Sequence, residues 1–265
     1  MPDVASLIAA LGPRVAALAM THVDYRTGRI HPMREITAAA HAAGALTVWD
    51  LSHSAGALEV DLDGTGVDLA VGCGYKYLNG GPGAPAYAFV ARRLVDRVRQ
   101  PLSGWFGHVE PFAFADDYAP SPGVERMQCG TPPMLSLAAL ESALEIFDDV
   151  SIGALRAKSM ALGDLFIRLA DANLDALGVT VESPRDASER GSQVSLRHRS
   201  GYAIVQALIA NGVIGDFRAP DVMRFGFAPL YVRFVDVFDA VHAIERVVRA
   251  GEWNQPRFLT RKLVT

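Results

Sequence analysis

The 265-residue sequence predicts an α/β protein, with a mostly parallel sheet in a large domain and a smaller α+β domain at the C-terminal end. Three observations carry this. Short apolar runs at 15–20, 45–49 and 67–71 alternate with helix-like stretches, the rhythm of parallel strands joined by right-handed crossovers. A long amphipathic stretch, 152–172, then leads into a region of short strands and helices, which puts the domain boundary near Asp149: residues 1–149, then 150–265. Half of the residues are hydrophobic and a fifth charged, enough apolar material for a sizeable core.

In chain order, Val4, Leu7, Ile8 and Leu11 have helical spacing, and Gly12-Pro13 ends that helix. Residues 15–20 (VAALAM) read as a buried strand followed by Thr21. Thr27-Gly28 marks a turn. Pro32 opens an alanine-rich helix that Gly44 closes. Residues 45–49 (ALTVW) form the next strand, with Asp50 at its carboxyl end. Residues 67–71 form another, and 84–91 (APAYAFVA) return antiparallel. Residues 92–99 are a solvated basic helix or turn. The stretch 101–122 has little periodicity and many Gly, Pro and aromatic residues, and long ordered loops of that kind usually serve function. Residues 133–150 and 152–172 are helices, and 179–181 and 193–196 are strands. Residues 201–211 are a helix closed by Gly212, 213–214 and 223–226 are strands, and 235–250 is the last helix. Residues 253–265 are polar and expected to fray.

The chain is organised around 69–84, LAVGCGYKYLNGGPGA. Lys76 sits between Tyr75 and Tyr77, with Gly80, Gly81 and Gly83 behind it. A lysine acting as an amine nucleophile needs partial desolvation, which lowers its pKa and frees the neutral form. Glycines let the backbone approach something bulky. Two readings fit this stretch equally: a Schiff-base lysine for pyridoxal 5'-phosphate (PLP), or a solvated loop lysine beside a turn. Asp50 adds weight to the first. Ligands of open α/β sheets bind beyond the carboxyl ends of the strands. A pyridoxal enzyme needs a carboxylate for the pyridine nitrogen as well as a lysine for the aldehyde. By itself, Asp50 would serve equally as a helix N-cap.

Asp50-Leu51-Ser52-His53-Ser54-Ala55-Gly56-Ala57, Tyr75-Lys76-Tyr77-Leu78-Asn79, Gly104-Trp105-Phe106-Gly107-His108 and Arg224-Phe225-Gly226-Phe227-Ala228-Pro229-Leu230-Tyr231 resemble, in order, the signature segments of the kynureninase family. The resemblance runs from about Thr21 to about Glu245. It implies the aspartate-aminotransferase fold of PLP-dependent transferases, PLP as cofactor, and a homodimer with shared active sites. It further implies hydrolysis of L-kynurenine, or its 3-hydroxy form, to the corresponding anthranilate and L-alanine, a step of tryptophan catabolism. Lys76 then carries the cofactor, Tyr75 assists proton transfer and contacts the phosphate, and Asp50 holds the ring nitrogen. Thr21, His53, Trp105 and Thr131 line the cofactor, with Trp105 and Thr131 reaching the partner's site. Arg224 forks onto the substrate's α-carboxylate, with His53 and Trp105 beside the substrate.

Each of these residues also has a plain structural reading: a turn hydroxyl for Thr21, a satisfied core histidine for His53, a packing tryptophan for Trp105, an edge-strand ion pair for Arg224. The resemblance places the start of this sequence about a third of the way into the family's length. The main phosphate-cradling loop would precede it, so residues 1–265 alone are expected to bind PLP poorly. Two other functions compete: another PLP lyase of the same fold, such as a cysteine desulfurase, and an inactive remnant serving as an interaction module. Cys129 reads as structural, since nothing near it in sequence would lower its pKa.

A net charge of −4 with no basic cluster argues against nucleic acid as a partner. Two cysteines, Cys73 and Cys129, make neither a disulfide framework nor a metal site. They fit a reducing, cytoplasmic compartment. No apolar run is long enough for a bilayer, so no membrane contact is expected, and the resemblance implies a small-molecule amino-acid substrate.

Overall fold

The structure is a computed structural model and describes residues 4–261. The chain divides into two compact units. One comprises residues up to 22, 32–55 and 60–149; the other comprises 23–31, 56–59 and the chain from 150 onward.

In the first unit, α1 (Val4–Ala10) leads to β1 (Ala17–Thr21), α2 (Met33–Ala42), β2 (Leu46–Asp50), α3 (Leu62–Thr65), β3 (Leu69–Cys73), β4 (Ala86–Val90) and α4 (Met134–Leu144). The sheet order is β1-β2-β3-β4, with the first three strands parallel and β4 antiparallel to β3. Gly44, in the left-handed region at φ 81, ends α2 by donating its N–H to the carbonyl of His41 at 2.9 Å. Trp49, Ile36, Met33 and Ala70 form the core on one face, and the Trp49 indole donates to Thr37 Oγ1 at 3.0 Å. On the opposite face the register aligns Thr21, Asp50, Val71 and Ala88 across the four strands. Val71 is 44% exposed there.

Asp68 is buried just ahead of β3. It accepts from the Thr47 N–H at 2.8 Å and the Arg93 guanidinium at 2.6 Å, and lies 2.7 Å from His41 Nε2. Burial pushes its carboxyl up, but these hydrogen bonds outweigh that and hold it below the usual carboxylate value. Arg93 is half exposed, in keeping with the solvated reading of 92–99, while its guanidinium reaches this buried carboxylate.

In the second unit, Ser151 caps α5 (Ile152–Asn173) by accepting from the Ala154 N–H at 3.1 Å. β5 (Thr180–Val181), β6 (Gln193–Arg197), α6 (Gly201–Ala210), β7 (Asp216–Arg218), β8 (Val222–Gly226), α7 (Phe234–Arg249) and α8 (Pro256–Leu259) follow. The sheet is antiparallel in the order β5-β6-β8-β7. Its core joins Phe166 and Leu162 of α5, Val194 and Leu196 of β6, Ile204 and Leu208 of α6, and Val241 and Ile244 of α7. Each such side chain contributes about 1.5–3 kcal/mol on full burial. Residues 23–31 join this unit by backbone pairing: Ile30 N–H donates to Glu189 at 2.8 Å and Gly191 N–H to Gly28 at 2.7 Å. Gly28 is at φ 76, where any Cβ would press on Gln193.

Two expectations are corrected here. Residues 213–214 are not a strand; the strand is Asp216–Arg218, a polar segment that pairs with β8. Nor do residues 253–261 fray: Phe258 of α8 is buried and Trp253 packs on the core. Residues 262–265 lie outside the described residues.

Candidate active site

The lysine loop of the first unit begins where β3 ends. Gly74 donates its N–H to the Pro85 carbonyl at 3.0 Å, and Gly80 donates back to Gly74 at 2.9 Å, closing the loop that carries Lys76. A Cβ on Gly74 would stand 2.8 Å from that Pro85 oxygen and 3.0 Å from Leu140 of α4, so this close approach requires glycine. Asn79 takes the left-handed turn at φ 60, and its side chain donates to the Tyr77 carbonyl. Gly81 and Gly83 have positive φ with open space where a Cβ would sit, so it is the turn that calls for glycine.

Lys76 is half-buried. Its Nζ lies 2.9 Å from the Tyr75 hydroxyl, 3.3 Å from Cys73 Sγ and 4.5 Å from the Tyr75 ring centroid. Burial pulls its pKa down as expected, but the hydrogen bonds to Tyr75 and Cys73 outweigh burial and hold the ammonium above the ordinary lysine value. The expected net lowering is therefore reversed in this arrangement. The reason is two acceptors aimed at one ammonium.

Asp50 ends β2. Its carboxylate accepts the Ser52 N–H at 2.8 Å, which fixes the turn that follows. Thr21 is its registered neighbour on β1, and half-buried His53 lies in the turn after it. Tyr87 of β4, absent from the sequence expectations, links the two ends of this site. It is registered against Gly72, and a Cβ on Gly72 would overlap its hydroxyl. Burial, with the charges of Cys73 and Asp50, pushes its phenol up to about 12. The hydroxyl oxygen is buried without a hydrogen-bond partner among the described residues. The alternation of small and large residues across β3 and β4, Gly72 opposite Tyr87, was the available signal.

Trp105 and Thr131 sit on the aromatic loop and the segment after it. Gly104 and Gly107 place the 3₁₀ turn Trp105–Gly107 back to back with 126–129, since a Cβ on either would overlap the carbonyl of Cys129 or Gln128. Trp105 is 43% exposed and makes edge contacts with Phe106 and Phe112 at 5.0 and 5.6 Å between centroids. A Cβ on Gly130 would be 3.9 Å from its indole nitrogen, which places exposed Thr131 next in line. No side chain caps α4, so Thr131 does not take that role. Trp105, His108, Phe114 and Tyr118 line a cavity of about 340 Å³ with Asp116 and Asp117.

In the second unit Arg224 lies on β8, an inner strand, and is buried at 9% exposure, so it is not an edge-strand arginine. Its Nε donates to Asp216 Oδ1 at 2.6 Å, Nη2 donates to Asp216 Oδ2, and Nη1 donates to the Tyr25 carbonyl. One side of the guanidinium is thus already forked onto a carboxylate, while Nη1 and Nη2 each keep a second N–H. Sequence reasoning missed Asp216 and Tyr25. The β7–β8 register, Asp216 opposite Arg224, gives the pairing directly. Among the described residues no group of three or more His, Cys, Asp or Glu could hold a metal ion, and no helix is long and apolar enough to cross a membrane.

A kynureninase of Pseudomonas fluorescens is 49% identical over 256 residues, 97% of this chain and 62% of that protein, so the chain spans under two thirds of its relative's length. A cysteine desulfurase from Thermococcus onnurineus NA1 superposes with a TM-score of 0.78 at 20% identity, covering 94% of this chain and 63% of that one. A C-DES variant with glycine covalently linked to its PLP cofactor superposes at 0.77 and 18% identity, covering 92% and 64%. At such identities these two structures speak for the fold, which is that of the PLP-dependent aminotransferases. Residues 155–244 match the kynureninase C-terminal domain, and along nearly its whole length the chain is similar to kynureninases.

Proposed function

We propose that this chain provides the PLP lysine and the substrate-carboxylate arginine of a kynureninase, a hydrolase that cleaves L-kynurenine or its 3-hydroxy form to the anthranilate and L-alanine. The observation that carries the reading is Lys76, held by Tyr75 and Cys73 on the sheet edge that also presents Asp50. The donor set fits PLP: an amine for the aldehyde, a carboxylate for the ring nitrogen, and a buried Tyr87 hydroxyl beside them with no partner among the described residues. Bound there, PLP would supply an electron sink for breaking the substrate's Cβ–Cγ bond.

The chain's residues do the rest. Lys76 must shed a proton to solvent before it can attack a carbonyl, and the Tyr75 hydroxyl oxygen, accepting a hydrogen bond from Nζ at 2.9 Å, is placed to orient it. Afterwards the freed lysine amine moves the substrate's Cα proton. Asp50 would hold the ring nitrogen in its protonated form, and His53, in the turn that follows, would support Asp50. Thr21, Trp105 and Thr131 would contribute contacts to the cofactor, the last two in a homodimer whose exposed aromatic loop packs against the partner. Arg224, braced by Asp216, offers its remaining N–H groups to the α-carboxylate. The two thiols, free and without a disulfide, suit a cytoplasmic setting.

The test is turnover. At saturating PLP, to offset the weak cofactor binding expected of residues 1–265 alone, the protein should release anthranilate from L-kynurenine, with L-alanine in equal amount, and Arg224→Lys should raise KM far more than Lys158→Ala. Sulfur release from L-cysteine without anthranilate release would point instead to a desulfurase. Absence of both activities, in a dimer that binds PLP, would leave the interaction-module reading.

A further inference from the structure

We propose that Cys73 and Lys76 form a redox modification site, in which a hydroperoxide oxidises the thiol and the lysine amine then closes a direct sulfur–nitrogen bond. The inference goes beyond the proposed activity. It rests on the Cys73–Lys76 geometry and holds whether or not Lys76 carries a cofactor.

The two reacting atoms already touch, Nζ to Sγ at 3.3 Å. Their backbones are anchored on both sides. Cys73 is the last residue of β3, registered against Ala86, and the loop to Lys76 is closed by the Gly74–Pro85 and Gly80–Gly74 hydrogen bonds. Reaching bonding distance therefore asks for a side-chain torsion change and no backbone movement. Cys73 is half-buried, within reach of a small peroxide. The other cysteine, Cys129, is exposed and has Gln100 as its polar neighbour, an amide that cannot act as a nucleophile.

The chemistry balances in two steps. The Cys73 thiolate attacks the peroxide: an S–O bond forms, the O–O bond breaks, and hydroxide leaves as water after taking the thiol proton. The neutral Lys76 amine then attacks that sulfur: an S–N bond forms, the S–O bond breaks, and water leaves with a lysine proton. Sulfur is oxidised by two electrons and one peroxide is reduced to two waters. Two equivalents of an added thiol reverse the change, restoring thiol and amine and becoming a disulfide. While the bond stands, Lys76 cannot attack any carbonyl. Because the two hydrogen bonds keep Lys76 as an ammonium, closure should quicken as pH rises.

The protein is first freed of carbonyl adducts with hydroxylamine, then treated with hydrogen peroxide, quenched with catalase, alkylated and digested with trypsin. The proposal expects peptide 35–92, uncleaved at Lys76, two hydrogens lighter than its reduced form and with Cys73 unalkylated. Dithiothreitol before alkylation should restore cleavage. Cys129→Ser should keep the product and Cys73→Ser should abolish it. In Lys76→Arg, dimedone should capture Cys73 as its sulfenic acid. Normal cleavage at Lys76 with Cys73 unmodified, over-oxidised or in a disulfide with Cys129 would overturn the proposal. An uncleaved peptide carrying an extra oxygen would overturn the direct S–N bond.

Discussion

Asp216 is the carboxylate that fixes Arg224, and removing its charge should be felt in stability. Asp216→Asn keeps the side chain's size but turns one oxygen into an N–H₂ that faces the Arg224 guanidinium. Arg224 is 9% exposed, so its charge would lose its main partner while staying out of water. Breaking a fully buried pair costs about 3–5 kcal/mol. Asp216 is itself about a third exposed and also meets Arg218 at 3.3 Å, so water and a second arginine soften the loss. We therefore expect a cost of about 1.5–3 kcal/mol, the range for a hydrogen bond to a charged group. Arg224→Met should cost less than Asp216→Asn, because it leaves Asp216 with Arg218 and solvent. The double variant should recover about 1–2 kcal/mol relative to the sum of the singles. Urea unfolding of the four proteins measures this. Single costs that add to within about 0.5 kcal/mol would refute the claim that Asp216 and Arg224 act as one unit.

Three further outcomes are expected. Gly104→Ala would drive a Cβ into the Cys129 carbonyl, so the aromatic loop should shift at a cost of about 1–3 kcal/mol, read as faster amide exchange at 104–108 and 126–129; unchanged exchange would refute the tight approach. Burial lowers the pKa of His31 and His198 in the second unit, so the folded state binds fewer protons there than the unfolded chain; stability should be full above the ordinary value of 6.5 and fall as pH drops through and below it, and His31→Gln should reduce that slope in denaturant titrations. Asp50→Asn should cut kynurenine turnover by orders of magnitude, because a neutral amide cannot hold a pyridinium, and near-normal turnover would remove Asp50 from that role.

Much of the architecture is legible in local sequence, because the decisive signals are local. β2 is an apolar run with Asp50 at its end, α2 has Pro32 before it and Gly44 after it, and 201–211 shows plain helical periodicity. What escaped depends on partners distant in sequence. β7, Asp-Phe-Arg, has no strand signal of its own and becomes a strand by pairing with β8. Residues 253–265 read as a polar tail, yet Trp253 and Phe258 within it pack on a core formed far upstream. Arg93 is solvated as its sequence suggests, but the buried Asp68 that its guanidinium meets lies 25 residues upstream and has no local signal. At the site, Lys76, Tyr75 and Asp50 stand out as residue types in a pattern. The sign of the Lys76 shift does not, because it turns on whether Tyr75 and Cys73 point inward or away.

The central claim is that Lys76 is the amine that takes the cofactor aldehyde, and the sequence holds just two other lysines, Lys158 and Lys262. Lys158 donates to the Pro229 carbonyl at 2.6 Å. The direct measurement is to incubate the protein with PLP, reduce with borohydride, digest, and locate the phosphopyridoxyl mass. The account predicts the label on Lys76, and its loss from that peptide in Lys76→Ala with no compensating gain elsewhere. Label on Lys158 or Lys262 in preference to Lys76, or equal labelling of all three, would contradict it.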